Sequence, residues 1–274
     1  MYYKLEDNRG HNISNITSFE EKLETHIKYL EHKNINTQYG KLIEKTIKNR
    51  KYVVHEHNNS MSEILGVLLF YHGSRGTGWM SALEYTRWIE YAQQNKLLIV
   101  FGQAQGEQVY PHKHPHYNDQ ITHGELYFEI RDNTTGFHED IEYTQQILED
   151  VKLNYHIDNK RVYFVGHSNG GVFGCLLTIY LPNTFRGIVS HMGGIGHDPH
   201  FYLDFPKLSN TDNKTPILFY TGDYDVHKFP CKVAYDIFKS EDFPIVDIYI
   251  EPNLDHTYCY NCEPYILNWL NNLP

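Results

Sequence analysis

The run Gly166-His167-Ser168-Asn169-Gly170-Gly171 follows directly on the apolar stretch Val162-Tyr163-Phe164-Val165. A buried strand is predicted to end there, and the helix-like stretch Val172 to Tyr180 begins just beyond. Between them the chain must reverse sharply at one residue, Ser168. Gly166 and Gly170 flank it at positions where a side chain would collide with the turn. This is the form of a nucleophile elbow, in which strain in the turn lifts a serine hydroxyl above the edge of a sheet. A bare Gly-x-Ser-x-Gly is common. The strand before it and the helix after it give this one its meaning.

The rest of the chain fits a sheet with helices on both faces. From Lys51 onward, strand-like and helix-like runs alternate. Strands are expected at 51–57, 64–71, 97–101, 162–165, 185–190, 217–221 and 245–250, and helices at 81–94, 137–155, 230–239 and 264–270. Continuous apolar strands such as Ile64 to Tyr71 are the kind that is covered on both faces. Their separation by helical runs implies a mostly parallel α/β sheet. Residues 1–46 read differently, as an N-terminal helical extension. Ser18-Phe19-Glu20-Glu21 has capping-box form, Leu23, Ile27 and Leu30 recur at helical spacing, and Leu42 to Ile47 reads as a second helical patch. The main domain is then 47–274, with an insertion at about 103–136. That insertion is rich in Tyr, His, Asn and Gly, and it leaves the same sheet edge as Ser168. A connection this long in a compact domain is usually functional.

Composition narrows the partners. The formal net charge of −10 argues against nucleic acid and anionic membrane. No apolar run reaches transmembrane length. The first residues lack a basic segment followed by an apolar core, so a cytoplasmic location is expected. The four cysteines, Cys175, Cys231, Cys259 and Cys262, are expected as free thiols, with a Cys231 disulfide to Cys259 or Cys262 as the alternative. The 23 tyrosines reflect an AT-rich coding bias more than a stacking surface. His112, His114 and His116 alternate, but the prolines among them favour a loop over a metal site. No cofactor or metal is called for.

A serine at its ordinary pKa needs a base within hydrogen-bond reach, and that base needs an orienting acid. After an elbow of this kind the chain order is Ser, acid, His. Gly222-Asp223-Tyr224-Asp225 follows the second strand beyond the elbow, and Asp225 is favoured over Asp223 because it sits further into the turn. His256 follows the last strand and is the expected base, with His227 second. Two backbone N–H groups should meet a developing oxyanion. One is that of Asn169. The other belongs to the loop His72-Gly73-Ser74-Arg75-Gly76, with Ser74 preferred and Arg75 the alternative. Tyr110, His116 and Tyr117 of the insertion, with His167, are the expected substrate contacts.

The pieces His72-Gly73-Ser74, Arg161 to Gly171, Gly222 to Asp225 and His256-Thr257 together resemble the α/β-hydrolase superfamily. More narrowly, Ser-Asn-Gly-Gly and the late His-Thr are similar to the group of feruloyl and acetyl-xylan esterases and polyhydroxybutyrate depolymerases. The resemblance covers roughly residues 50–274. It implies an α/β-hydrolase fold and hydrolysis of a small or oligomeric carboxylic ester through an acyl-serine. An inactive binding module on the same fold, or a peptidase or acyltransferase with the same three residues, are the competing readings.

Overall fold

The computed structural model describes residues 5–6, 12–13, 34–74, 76–104, 128–130, 135–195 and 214–274. Leu5–Glu6 (β1) and Asn12–Ile13 (β2) form a short antiparallel pair. The remaining strands build one sheet. They are β3 (Asn34–Thr37), β4 (Gly40–Ile47), β5 (Arg50–Glu56), β6 (Leu65–Tyr71), β7 (Leu97–Gly102), β8 (Ile157–His167), β9 (Gly187–His191), β10 (Ile217–Gly222) and β11 (Val246–Glu251). Their order is β11-β10-β9-β8-β6-β7-β5-β4-β3. From β11 to β7 every neighbouring pair is parallel, while β5, β4 and β3 add antiparallel strands at one edge.

The central strands separate two cores. Leu65, Val67, Leu69 and Tyr71 of β6 point to one face, and Leu68 and Phe70 to the other. The first face is covered by helices α3 (Thr135–Asn154), α4 (Asn169–Tyr180) and α5 (Lys228–Ser240). The second is covered by the short helices α1 (Gly78–Met80) and α2 (Trp88–Tyr91) and by α6 (Glu263–Asn271). This is the α/β-hydrolase architecture expected from the sequence, a mostly parallel sheet with helices on both faces. Among the described residues no helix is long and apolar enough to cross a membrane.

Two local expectations are corrected. Leu42 to Ile47, read as a helical patch, is part of strand β4. It turns into β5 through Lys48 and Asn49, both at positive φ (44° and 69°), a two-residue hairpin whose twist suits the flanking strands. The helix expected over 81–94 is broken into α1, a π-helical turn Ser81–Tyr85, and α2. Thr86 is extended between them (φ −124°, ψ 163°). The break leaves the Arg87 N–H free to donate to the buried Glu263 carboxylate at 3.0 Å, which also accepts from the Tyr258 hydroxyl at 2.9 Å. A buried carboxylate without such donors would be far more costly than one interrupted helix. The helix expected near Ser18 to Lys33 lies outside the described residues.

The parallel strands deliver their carboxyl ends to one edge, where ligands bind in open α/β sheets. Tyr71, Gly102, His167, His191, Gly222 and Glu251 all end strands there. Close packing at the β8 exit explains its glycines. A Cβ on Gly166 would lie 2.0 Å from the Gly170 carbonyl oxygen, and one on Gly170 would lie 2.4 Å from that of Tyr71. Gly166→Ala is therefore expected to destabilise the fold by roughly 3 kcal/mol or more. That corresponds to a fall in Tm of roughly 5 °C or more for a chain of this size, read by thermal denaturation. A melting temperature within a degree or two of the parent would mean that the turn relaxes more easily than its backbone contacts indicate.

Candidate active site

Ser168 sits between β8 and α4 with φ 51° and ψ −114°, a strained conformation for a residue with a Cβ. Its N–H donates to the His191 carbonyl at 2.8 Å, and its own carbonyl accepts from Val172 N–H at 3.0 Å. The turn is thereby tied at once to β9 and to the first turn of α4. Its hydroxyl is 2.9 Å from His256 Nε2.

His256 follows β11, and its Nδ1 is 2.8 Å from Asp225 Oδ1. Asp225 follows β10, and its side chain is fully buried, whereas that of His256 is partly exposed. The carboxylate also accepts from the His227 N–H at 2.8 Å and from the Thr221 hydroxyl at 2.8 Å. Burial alone would raise the Asp225 carboxyl. The hydrogen bonds from His256, the His227 amide and Thr221 outweigh it and hold the group below its ordinary value. The aspartate is thus ionised at neutral pH and can only accept, so Nδ1 of His256 is the donor in their hydrogen bond and Nε2 is the ring nitrogen turned toward Ser168.

The competing assignments have other surroundings. The Asp223 N–H pairs with the Glu251 carbonyl, and its own carbonyl accepts from Lys228 Nζ. Among the described residues, its Oδ1 is buried with no hydrogen-bond partner. His227 packs its ring 4.6 Å from that of His256 and reaches Asp225 through its backbone. Loss of solvent around its ring, with His256 nearby, lowers its pKa, so it stands neutral beside His256.

Asn169, the first residue of α4, is buried, and its side chain has a separate task. Its Oδ1 accepts from the Phe128 N–H at 2.7 Å and its Nδ2 donates to the Phe128 carbonyl at 2.9 Å. This reciprocal pair pins residues 128–130, the returning end of the insertion, against the elbow. Glu129 N–H is held in turn by Asp140 Oδ2 at 2.7 Å, and Asp140 is paired with Arg50 at 2.6 Å. Nothing local in the sequence signals this clamp, because Phe128 and Asn169 are far apart along the chain.

On the other side, the loop after β6 abuts Ser168. A Cβ on Gly73 would lie 3.1 Å from Ser168 Cβ and 3.1 Å from His167 Cδ2. Ser74 is exposed at the tip of a turn closed by the Gly76 N–H on the Gly73 carbonyl at 3.0 Å. Arg75, Tyr110, His116 and Tyr117, like His112 and His114, lie outside the described residues. The structure therefore brings Ser168, Asp225, His256, Asn169, His167 and the Gly73–Ser74 loop to one place. All four cysteines are free and buried.

Residues 55–185 match the family described as "Alpha/beta hydrolase of unknown function (DUF915)". An uncharacterized hydrolase of Acanthamoeba polyphaga mimivirus is 30% identical over 246 residues, which span 83% of this chain and 77% of the relative. The chain belongs to the α/β-hydrolase family. Solved structures share the fold of this α/β-hydrolase at low identity. An S-formylglutathione hydrolase from Agrobacterium tumefaciens superposes with a TM-score of 0.68 at 13% identity, covering 89% of this chain and all (100%) of its own. A fluorophosphonate-binding serine hydrolase of Staphylococcus aureus gives 0.61 at 14% identity, covering 87% and 96%. A ferulic acid esterase gives 0.61 at 15%, covering 85% and 98%.

Proposed function

We propose that this α/β-hydrolase cleaves a carboxylic ester, with Ser168 as nucleophile, His256 as general base and acid, and Asp225 as the group that orients His256. The supporting observation is the unbroken line of hydrogen bonds from Ser168 Oγ to His256 Nε2 (2.9 Å) and from His256 Nδ1 to Asp225 Oδ1 (2.8 Å) at a strained elbow. In this reading His256 Nε2 takes the hydroxyl proton as Oγ attacks the ester carbonyl. Negative charge collects on the former carbonyl oxygen. The N–H of Asn169, at the positive end of α4, and the N–H of Ser74 stabilise it. The imidazolium, balanced by buried Asp225, then gives its proton to the leaving alkoxide, and an acyl-serine remains. Water activated by the same Nε2 releases the acid and restores the hydroxyl.

Several solved structures with this fold are named as esterases, which accords with an ester substrate. The test is a panel of p-nitrophenyl esters of rising acyl length, run beside feruloyl and acetylated-sugar esters. Turnover of the short nitrophenyl esters well above solvent hydrolysis is expected, with the natural-type esters ranking the acyl and alcohol preference. A folded protein that turns over none of them would remove the ester assignment.

A further inference from the structure

Beside the Ser168–His256–Asp225 line lies a second pair of histidines. His167 ends β8 and His191 ends β9, and they are register partners in that parallel pair. Their Nδ1 atoms are 2.9 Å apart. His191 is completely buried, with its ring stacked on Tyr220 (centroids 5.3 Å apart, planes at 15°) and tilted against Tyr258 at 4.8 Å. Burial pulls His191 down to about 3, Asp225 opposing and His256 assisting. Burial first, then His191 and His256, lowers His167 well below the ordinary imidazole value. Both rings are neutral near pH 7.

Two neutral imidazoles can share an Nδ1···Nδ1 contact only if one carries the proton and the other is bare. The far nitrogen of His191 decides which. Among the described residues, His191 Nε2 is buried with no hydrogen-bond partner. An orphaned buried N–H is rarer in folded proteins than an under-used acceptor, so Nε2 is the bare nitrogen. His191 then donates from Nδ1, and His167 accepts at Nδ1 and must carry its own proton on Nε2. Cδ2, the carbon bonded to that nitrogen, faces Gly73 beside Ser168. His167 is mostly buried but not closed off from solvent, and its ring lies 5.7 Å from that of His256, with the planes at 26°.

We infer that His167 is a substrate-binding donor whose Nε2–H is fixed by the tautomer of buried His191, and that it selects esters with a hydrogen-bond acceptor in the acyl group close to the scissile carbonyl. This rests on the serine-hydrolase reading. His191 is a positioning residue in it, acting only through His167.

The test compares p-nitrophenyl methoxyacetate with p-nitrophenyl butanoate, whose acyl groups have the same number of heavy atoms and differ by one ether oxygen. The intrinsic reactivity difference cancels when the ratio of kcat/KM values is compared between enzymes. In His167→Leu and in His191→Leu the methoxyacetate-to-butanoate ratio should fall about tenfold. In His191→Asn it should recover, because the amide N–H stands near the place of the lost Nδ1–H. An unmoved ratio in both leucine variants overturns the inference. So does an equal loss on both esters, which would mean that the pair merely props the elbow. Long-range ¹⁵N–¹H spectra of the histidine rings give a reading independent of turnover. Protons on His167 Nε2 and His191 Nδ1 are expected, and the reverse assignment overturns the inference even if a leucine variant fails to fold. A wild-type protein that takes no fluorophosphonate label would overturn the serine-hydrolase reading and this substrate role with it. A labelled wild type with an unmoved ratio defeats this inference alone.

Discussion

Replacing Ser168 with alanine is expected to lower ester hydrolysis by on the order of a thousandfold or more, and to abolish covalent labelling by a fluorophosphonate. The substitution isolates chemistry from folding. Serine already places a Cβ at φ 51°, so alanine adds no new backbone strain. Among the described residues, the one side-chain hydrogen bond removed is that to His256 Nε2. Circular dichroism and melting temperature should therefore stay close to the parent while turnover collapses. In the proposed mechanism the loss is large because nucleophile and base work as a unit: without Oγ, His256 has only water to activate. Peptide mapping of the labelled wild type should place the adduct on Ser168. A label on another serine, or activity that survives in the alanine variant, would move the chemistry elsewhere.

What the sequence made legible follows from how local each signal was. The apolar runs of β6, β7, β8 and β10 declare themselves because strands covered on both faces must be apolar throughout. The Ser168 turn was legible because two close backbone approaches demand glycine at Gly166 and Gly170. Asp225 and His256 could be placed because each follows the end of a strand that the pattern had already located. Leu42 to Ile47 misled for a physical reason. Leu42 is fully buried, but the other residues of β4 are half-buried or exposed in no regular order, so this strand, one in from the sheet edge, lacks a clean alternation. The broken helix after Thr77 was illegible because its cause, Glu263, lies 176 residues away from Arg87 in sequence. The Asn169–Phe128 clamp and the His167–His191 pair share that character. Each joins residues that only the assembled sheet brings together, so neither composition nor spacing announces them.

The choice between Asp225 and Asp223 carries the other large expected effect. Asp225→Asn should lower kcat/KM by on the order of a thousandfold to ten-thousandfold, by analogy with other Ser-His-Asp sites. Asp223→Asn should cost less than about tenfold. The amide at 225 has two orientations, and both fail. With its NH2 toward His256 it donates to Nδ1, which drives the ring proton to Nε2 and removes the base. With its oxygen toward His256 the tautomer survives, but no negative charge balances the imidazolium. Asp223 has no hydrogen bond to the base; its backbone groups pair with Glu251 and Lys228. Stability gives a second reading with a definite sign. The hydrogen bonds hold Asp225 below its ordinary pKa of 3.8, so its ionised form stabilises the folded state above that pH. This contribution fades as pH falls through the lowered folded value. The wild type should therefore lose its advantage over Asp225→Asn between neutral and strongly acidic pH, as measured by paired thermal melts. If instead Asp223→Asn shows the large kinetic loss and Asp225→Asn the small one, the acid of this site is Asp223, and His256 must rotate away from its present partner during turnover.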